Sequence, residues 1–165
     1  GDVLVINNEG RTDEGCIGDL TALEAMDCGV AAIVAWGCHR DTSELIEIGL
    51  PVFSYGTCPK GPTRDDPRDA GALESVHFGT FTVTRDDFVF ADDDGVIFLP
   101  AEQVEAILDL ASTIWEIDRA QAESVKKGTN LREQLRFREY LAKKAIDSSY
   151  TFRTHLRAIG GAIEE

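Results

Sequence analysis

No apolar run in this chain approaches the roughly 18 to 20 residues that a membrane-spanning helix needs, and its start lacks the basic-then-apolar layout of a secretory signal. These absences predict a soluble, cytoplasmic protein without a membrane partner. Basic residues are scarce: 16 Lys and Arg stand against 30 Asp and Glu, a net charge of −14. Phosphate backbones are bound by concentrated Lys and Arg, so nucleic acid is excluded as the expected ligand. The four cysteines, Cys16, Cys28, Cys38 and Cys58, show no C-x-x-C or zinc-finger spacing, and they read as reduced structural thiols. With 165 residues and 43% hydrophobic content, the chain can bury one core, which makes one main domain the natural expectation.

What the chain does contain is a constellation of charge. Asp19 precedes a 20-residue gap that ends in the adjacent pair Arg40 and Asp41. The intervening segment must fold back for that spacing to matter, and its pattern says that it does. Asp2 to Ile6 (DVLVI) reads as a strand, followed by a loop from Asn7 to Gly18. After Asp19, Leu20, Leu23 and Met26 recur at helical intervals with Ala22 and Ala25, and Gly29 suits a left-handed helix end. Val30 to Trp36 (VAAIVAW) is a continuous apolar, β-branched run, the pattern of a strand buried on both faces. A helix start and a strand end then share one sheet edge, where α/β folds bind ligands.

That edge offers a coherent chemistry. Amides at a helix start, here those of Leu20 and Thr21, attract anions, and a guanidinium fork grips a carboxylate. Asp41 is the candidate metal ligand and Asp19 the group that orders water on the metal. So sparse a ligand set suits Mg2+ or Mn2+ better than zinc, because magnesium keeps several waters and needs only one or two protein carboxylates. A structural reading stands beside this one: Asp19 as a helix cap, Asp41 and Glu44 as a capping box, and Arg40 with Asp41 as a surface ion pair.

The run GDLTALEAMDCGVAAIVAWGCHRDTSELIEIGLPVFSYGTCPKGP, followed by VHFGTFTV and DFVFADDDGVIFLP, resembles the family of the regulator of RNase E activity A (RraA-like). That family includes class II 4-hydroxy-4-methyl-2-oxoglutarate and 4-carboxy-4-hydroxy-2-oxoadipate aldolases. The likeness covers roughly residues 1 to 128, and the Asp-x20-Arg-Asp element is the feature associated with the aldolase members. It implies that Asp41 binds magnesium, that Arg40 holds pyruvate, that Gly18 and the backbone amides of Leu20 and Thr21 hold substrate, and that Asp19 orients metal-bound water. It further implies a three-layer β/β/α swivelling-type fold and a trimer with sites between subunits. An acidic residue of a neighbouring subunit, Glu116 or Glu123, is expected to complete the metal's water shell.

The expected activity is that of a pyruvate aldolase cleaving a 4-hydroxy-2-oxo acid, with oxaloacetate decarboxylation following from the same enolate chemistry. The alternative is a non-catalytic regulator that binds an RNase or another protein, as the family's RNase E inhibitor does. Relatives carry further strands and helix before the position matching Gly1. The chain is therefore expected to be a fragment, a reduced variant, or one that takes the missing elements from a second polypeptide.

The remainder reads as scaffold. A second helix is expected from Asp41 to Gly49, a strand over Leu50 to Tyr55, a surface loop through TCPKGPTRDDPRDAG, and strands over Val76 to Thr84 and Phe88 to Leu99, the latter turning at Asp92 to Gly95. From Pro100 the pattern is helical up to Gly128, and a further helix is expected from Leu131 to Ile146. These place an aldolase domain at residues 1–128 and a C-terminal helical arm at 129–165, suited to packing on a neighbouring subunit. The tail from Ser148 onward carries no readable pattern.

Overall fold

The computed structural model describes residues 1–161; the last part of the tail, residues 162–165, lies outside the described residues. Two compact units divide the chain, Gly1–Ala101 and Glu102–Glu165. The division falls at the start of the long helix.

The first unit is built on three parallel strands in the order β1 (Val3–Ile17), β2 (Ala32–His39) and β3 (Val52–Phe53). Helices α1 (Asp19–Asp27) and α2 (Thr42–Ile48) form the two crossovers. VAAIVAW is the central strand, as its apolar run predicts, since a strand paired on both sides between covered faces has no polar face to show. The expected loop from Asn7 to Gly18 is instead a continuation of β1. It pairs regularly from Val3↔Ala32 to Asn7↔Trp36 and then resumes, with register shifts, at Arg11↔Gly37, Gly15↔Cys38 and Ile17↔His39. The extra residues bulge outward through Glu9 and Gly10, both at positive φ. Polar composition concealed this pairing, because a bulged strand loses the two-residue alternation by which strands are read.

Helix α1 also differs from its reading in orientation. Leu20, Leu23 and Met26 are exposed, and the residue it buries is Ala22, with Ala25 packed beside it. The small side chains sit against the sheet and join Ile17, Ile33, Leu45 and Leu50 in the core. The expected strand at Leu50 to Tyr55 shortens to Val52–Phe53. Hairpins β4 (Ser75–Phe78) with β5 (Phe81–Thr84) and β6 (Asp87–Asp92) with β7 (Gly95–Pro100) follow. The β6-β7 turn lies within the expected Asp92 to Gly95, whereas the single strand expected over Val76 to Thr84 folds back on itself after Phe78 as a hairpin. Trp36, Phe78, Phe81 and Phe98 make a second, aromatic cluster with ring centroids 5.3 to 6.1 Å apart.

The second unit opens with the 23-residue helix α3 (Val104–Lys126), which has no buried residue. The helix expected from Leu131 to Ile146 is broken into α4 (Leu131–Gln134) and α5 (Phe137–Ile146). At the break Arg136 takes a left-handed conformation, φ 47°, which no helix can propagate. The tail that carried no readable pattern forms α6 (Phe152–Ile159), capped by the Thr151 hydroxyl accepting from the Thr154 amide. His155 on α6 is fully buried among Phe137, Tyr140, Tyr150 and Phe152, with Nε2 2.9 Å from the Leu135 carbonyl. This aromatic core closes the break, and it could not be read from the tail alone because two of its members, Phe137 and Tyr140, come from α5.

Ile33 is completely buried at the centre of the first unit's core. Ile33→Ala should lower stability by about 3 kcal/mol, measured as a fall in the urea midpoint at unchanged denaturant sensitivity. An unshifted midpoint would show that this strand is not the centre of the core.

Candidate functional site

The C-terminal ends of β1 and β2 set the site. The Arg40 amide donates to the Ile17 carbonyl at 2.9 Å, which holds the start of the Arg40-Asp41 turn against the end of β1. One residue further along β1 is Gly18, where α1 begins. Asp41 Oδ2 lies 3.4 Å from the Asp19 amide and 3.5 Å from Arg40 Nε. Asp19, Arg40 and Asp41, separated by the 20-residue gap in sequence, are thus neighbours in space.

Asp41 stands at the N-cap position of α2, but its side chain makes no capping hydrogen bond there. It adopts φ 57°, ψ 44°, a left-handed conformation, and its side chain caps nothing in α2. A capping box needs an extended N-cap residue, so the structural explanation for Asp41 and Glu44 is overturned. Its carboxylate is turned away from its own helix and towards the start of α1. A non-glycine residue held at positive φ stores strain of order 1 kcal/mol or more, and such residues concentrate where function needs them.

Asp19 sits in the first turn of α1, and the preceding Gly18 is the N-cap residue. Its Oδ1 accepts from the Leu20 amide at 2.7 Å. The amide at this helix start that faces Asp41 is therefore that of Asp19, while the Leu20 amide is engaged by the neighbouring carboxylate. Gly18 is buried, and a Cβ there would overlap Asp41 Oδ2 and come within 3.0 Å of Arg40 Nε. Only glycine lets the two charged side chains approach the backbone so closely.

Other residues, not marked by the sequence, shape the site. A Cβ at Gly61 would stand 2.7 Å from Arg40 Nη1, and one at Gly15 would stand 3.1 Å from Arg40 Cβ. Two glycines at the end of β1 and one from a later loop therefore lie against one arginine. His39, next to Arg40, places Nδ1 2.7 Å from Ser54 Oγ and Nε2 3.0 Å from Thr42 Oγ1. Burial pushes its pKa below the usual histidine value, because the charged ring is poorly solvated there. Cys38 is buried and Cys16 Sγ donates to the Cys38 carbonyl at 3.4 Å; burial raises the Cys16 pKa, so Cys16 is not poised as a thiolate nucleophile. The open cleft lined by Ser54, Tyr55, Phe78 and Asp93 includes His39 but none of Gly18, Asp19, Arg40 or Asp41.

Among the described residues no group of three His, Cys, Asp or Glu side chains is arranged to hold a metal. A cation fully enclosed by protein ligands does not fit this donor set. A hydrated magnesium-type ion with a single carboxylate does, and Asp41, about one-third exposed, would be the carboxylate to hold it. Glu116 and Glu123 lie exposed on α3 in the second unit, where Glu123 Oε1 is 2.6 Å from Lys126 Nζ.

Residues 1–98 match the model of the RraA-like family, described as Aldolase/RraA. The chain belongs to this family. It is 34% identical over 101 residues to a Pseudomonas aeruginosa protein named, provisionally, as a 4-hydroxy-4-methyl-2-oxoglutarate aldolase, covering 61% of this chain and 60% of that one. An uncharacterized protein of Methanocaldococcus jannaschii is 28% identical over 134 residues, 81% of this chain and 63% of its own. Among solved structures, Streptomyces coelicolor RraAS2, an unusual member of the RNase ES inhibitor RraA family, superposes with a TM-score of 0.60 at 30% identity, over 78% of this chain and 63% of that chain. The α/β fold is that of the family. The chain spans about three fifths of the length of these curated relatives.

The left-handed backbone at Asp41 separates two consequences of replacing it. Asp41→Gly and Asp41→Ala remove the same carboxylate, yet the glycine variant should be the more stable by about 1 kcal/mol, read from paired urea denaturation curves. Equal midpoints would show that the backbone there is unstrained. For His39 the lowered folded pKa means that the unfolded chain binds the proton first. Stability is therefore full above the unfolded value and declines as pH falls below it towards the folded value. His39→Gln should flatten that acid-side slope, and an unchanged slope would remove His39 from the account.

Proposed function

We propose that this protein is a divalent-metal-dependent lyase that cleaves a 4-hydroxy-2-oxo acid to pyruvate and a second oxo acid. The observation that carries the reading is the turn Arg40-Asp41 at the C-terminal edge of the parallel sheet. There the Asp41 carboxylate, carried on a left-handed backbone, lies 3.4 Å from the Asp19 amide at the start of α1 and 3.5 Å from Arg40 Nε. The aldolase name of the Pseudomonas aeruginosa relative supports it.

In this reading Arg40 grips the carboxylate of the substrate's pyruvyl half through paired N–H donors. Asp41 holds the Mg2+ or Mn2+ ion, which when bound supplies Lewis acidity at the 2-oxo group. Asp19, beside Asp41, serves proton movement through water: the 4-hydroxyl loses its proton, the C3–C4 bond breaks, and C3 of the pyruvyl fragment is reprotonated. Oxaloacetate, whose C3–C4 bond lies in the same relation to a 2-oxo group, would lose carbon dioxide by the same electron flow. Exposed Leu20, Leu23, Met26 and Ile46 on α1 and α2 give the first unit an apolar surface that suits a homotrimer interface, and α3 carries Glu116 or Glu123 as the acidic residue lent to a neighbour.

Likeness to RraAS2 favours one second reading, a non-catalytic regulator that binds an RNase through its surface. Pyruvate release from a panel of 4-hydroxy-2-oxo acids, coupled to a reductase assay, distinguishes the two. Turnover should require Mg2+ or Mn2+, should vanish with chelator or Asp41→Ala, and should fall about 100-fold in Arg40→Ala, in line with the loss of a charge-assisted carboxylate grip. Circular dichroism must show both variants folded. No pyruvate from any substrate, together with capture of an RNase, would replace the lyase with the regulator.

A further inference from the structure

The segment from Cys58 to Asp69 has no regular secondary structure, yet it is tied firmly to β1. The Gly15 amide donates to the Lys60 carbonyl at 2.7 Å, and a Cβ at Gly15 would lie only 2.7 Å from the Cys58 carbonyl oxygen. Arg64 supplies the main anchor. Its Nη2 donates to Asn8 Oδ1 at 2.6 Å, its Nη1 is 3.1 Å from Asp66 Oδ2 and 3.8 Å from Glu9 Oε2, and its Nε is 3.4 Å from Glu14 Oε1.

Glu14 is the unusual member of this set. It is fully buried, and neither of its carboxylate oxygens has a hydrogen-bond partner among the described residues. Its charge is balanced by Arg64 and by Arg11, whose Nε is 3.6 Å from Oε1. A carboxylate taken from water needs a cation close by, so Glu14 draws Arg64, and with it the segment, onto the bulge of β1. Between the anchor at Arg64 and the tie at Lys60 lies Gly61, which abuts the Arg40 guanidinium. With Gly18 on another side, the guanidinium is confined between two backbones that have no side chain to yield.

We propose that the Glu14–Arg64 anchor is a positioning device: by docking the segment that carries Gly61, it sets where the Arg40 guanidinium stands and so governs affinity for the substrate's carboxylate. This rests on the reading of Arg40 as the carboxylate grip. Glu14, Gly61 and Arg64 act through Arg40 and touch no reacting atom. A guanidinium displaced by even 1 Å loses the geometry of a two-point grip, which is where positioning has its largest effect on binding.

The test compares Gly61→Ala, Arg64→Ala, Arg64→Lys and Glu14→Gln in the full chain with two readouts. The first is the NMR signal of the Arg40 Nε–H, which reports its surroundings without any ligand. The second is affinity for sodium pyruvate in the presence of Mg2+, by calorimetry. Gly61→Ala and Arg64→Ala should both shift the Arg40 signal and weaken pyruvate binding about 10-fold or more, and Arg64→Lys should recover part of each. Exchange of the Gly15 amide should quicken in Arg64→Ala and Glu14→Gln, and stay slow in Gly61→Ala, whose segment remains docked. An Arg40 signal unmoved in Gly61→Ala and Arg64→Ala overturns the proposal, as does a shifted signal with unchanged pyruvate affinity. If the wild-type chain binds no pyruvate, the lyase reading fails, and the Arg40 signal alone still decides whether the anchor positions it.

Discussion

The parallel pairing of β1 with β2 is the constraint on which the remaining structure depends. Its last register position, Ile17↔His39, brings the residues that follow each strand to one edge. Gly18 and Asp19 then turn into α1, while Arg40 and Asp41 turn into α2, and the two turns meet because their strands end side by side. Three register shifts in β1, between Asn7 and Arg11, Arg11 and Gly15, and Gly15 and Ile17, make this possible. Without them, β1 would run out of step with β2, and the carboxylates would end on different levels of the sheet. Burial of Ile17 and Ile33 holds that pairing.

Electrostatics at this edge run against the character of the whole molecule. A chain with a net charge of −14 repels anions at long range, but screening confines such fields to about 8 to 10 Å at physiological salt. Within that distance the Arg40 guanidinium and the amides at the start of α1 are the local positive elements of this edge. Glycines do as much here as charges. Gly15 and Gly18 at the end of β1 and Gly61 from the segment after Cys58 each remove a side chain that Arg40 or its backbone neighbours would otherwise strike. The site is thus defined as much by close backbone approach as by the groups that bear charge.

The two units of the chain present different physical problems. The first is a sheet with covered faces, whose core is small and aliphatic. The second carries an amphipathic helix, α3, with no buried residue, and a compact aromatic knot around His155. Leu110, Trp115 and Val125 on α3 remain exposed in the single chain. Apolar side chains on a long helix that no core covers are what a subunit interface would use.

Local pattern determined a good deal. The apolar run of β2, the glycine ends of α1 and α2, the hairpin turn at Asp93-Asp94 and the length of α3 were all legible, because each depends on residues within a few positions of one another. So was the pairing of Asp19 with Arg40 and Asp41, since a helix and a returning strand between them leave one way for the ends to meet. Tertiary structure alone decided the rest. It extended β1 through polar residues, turned Ala22 and not Leu20 into the core, put Asp41 in a left-handed backbone that departs from the capping-box alternative, and fastened Arg64 to Glu14. Those outcomes depend on partners tens of residues distant, as when Arg64 reaches Asn8 across 56 positions. No periodicity encodes such a contact, because its energy comes from burying a charge beside a partner that only the folded chain brings within reach.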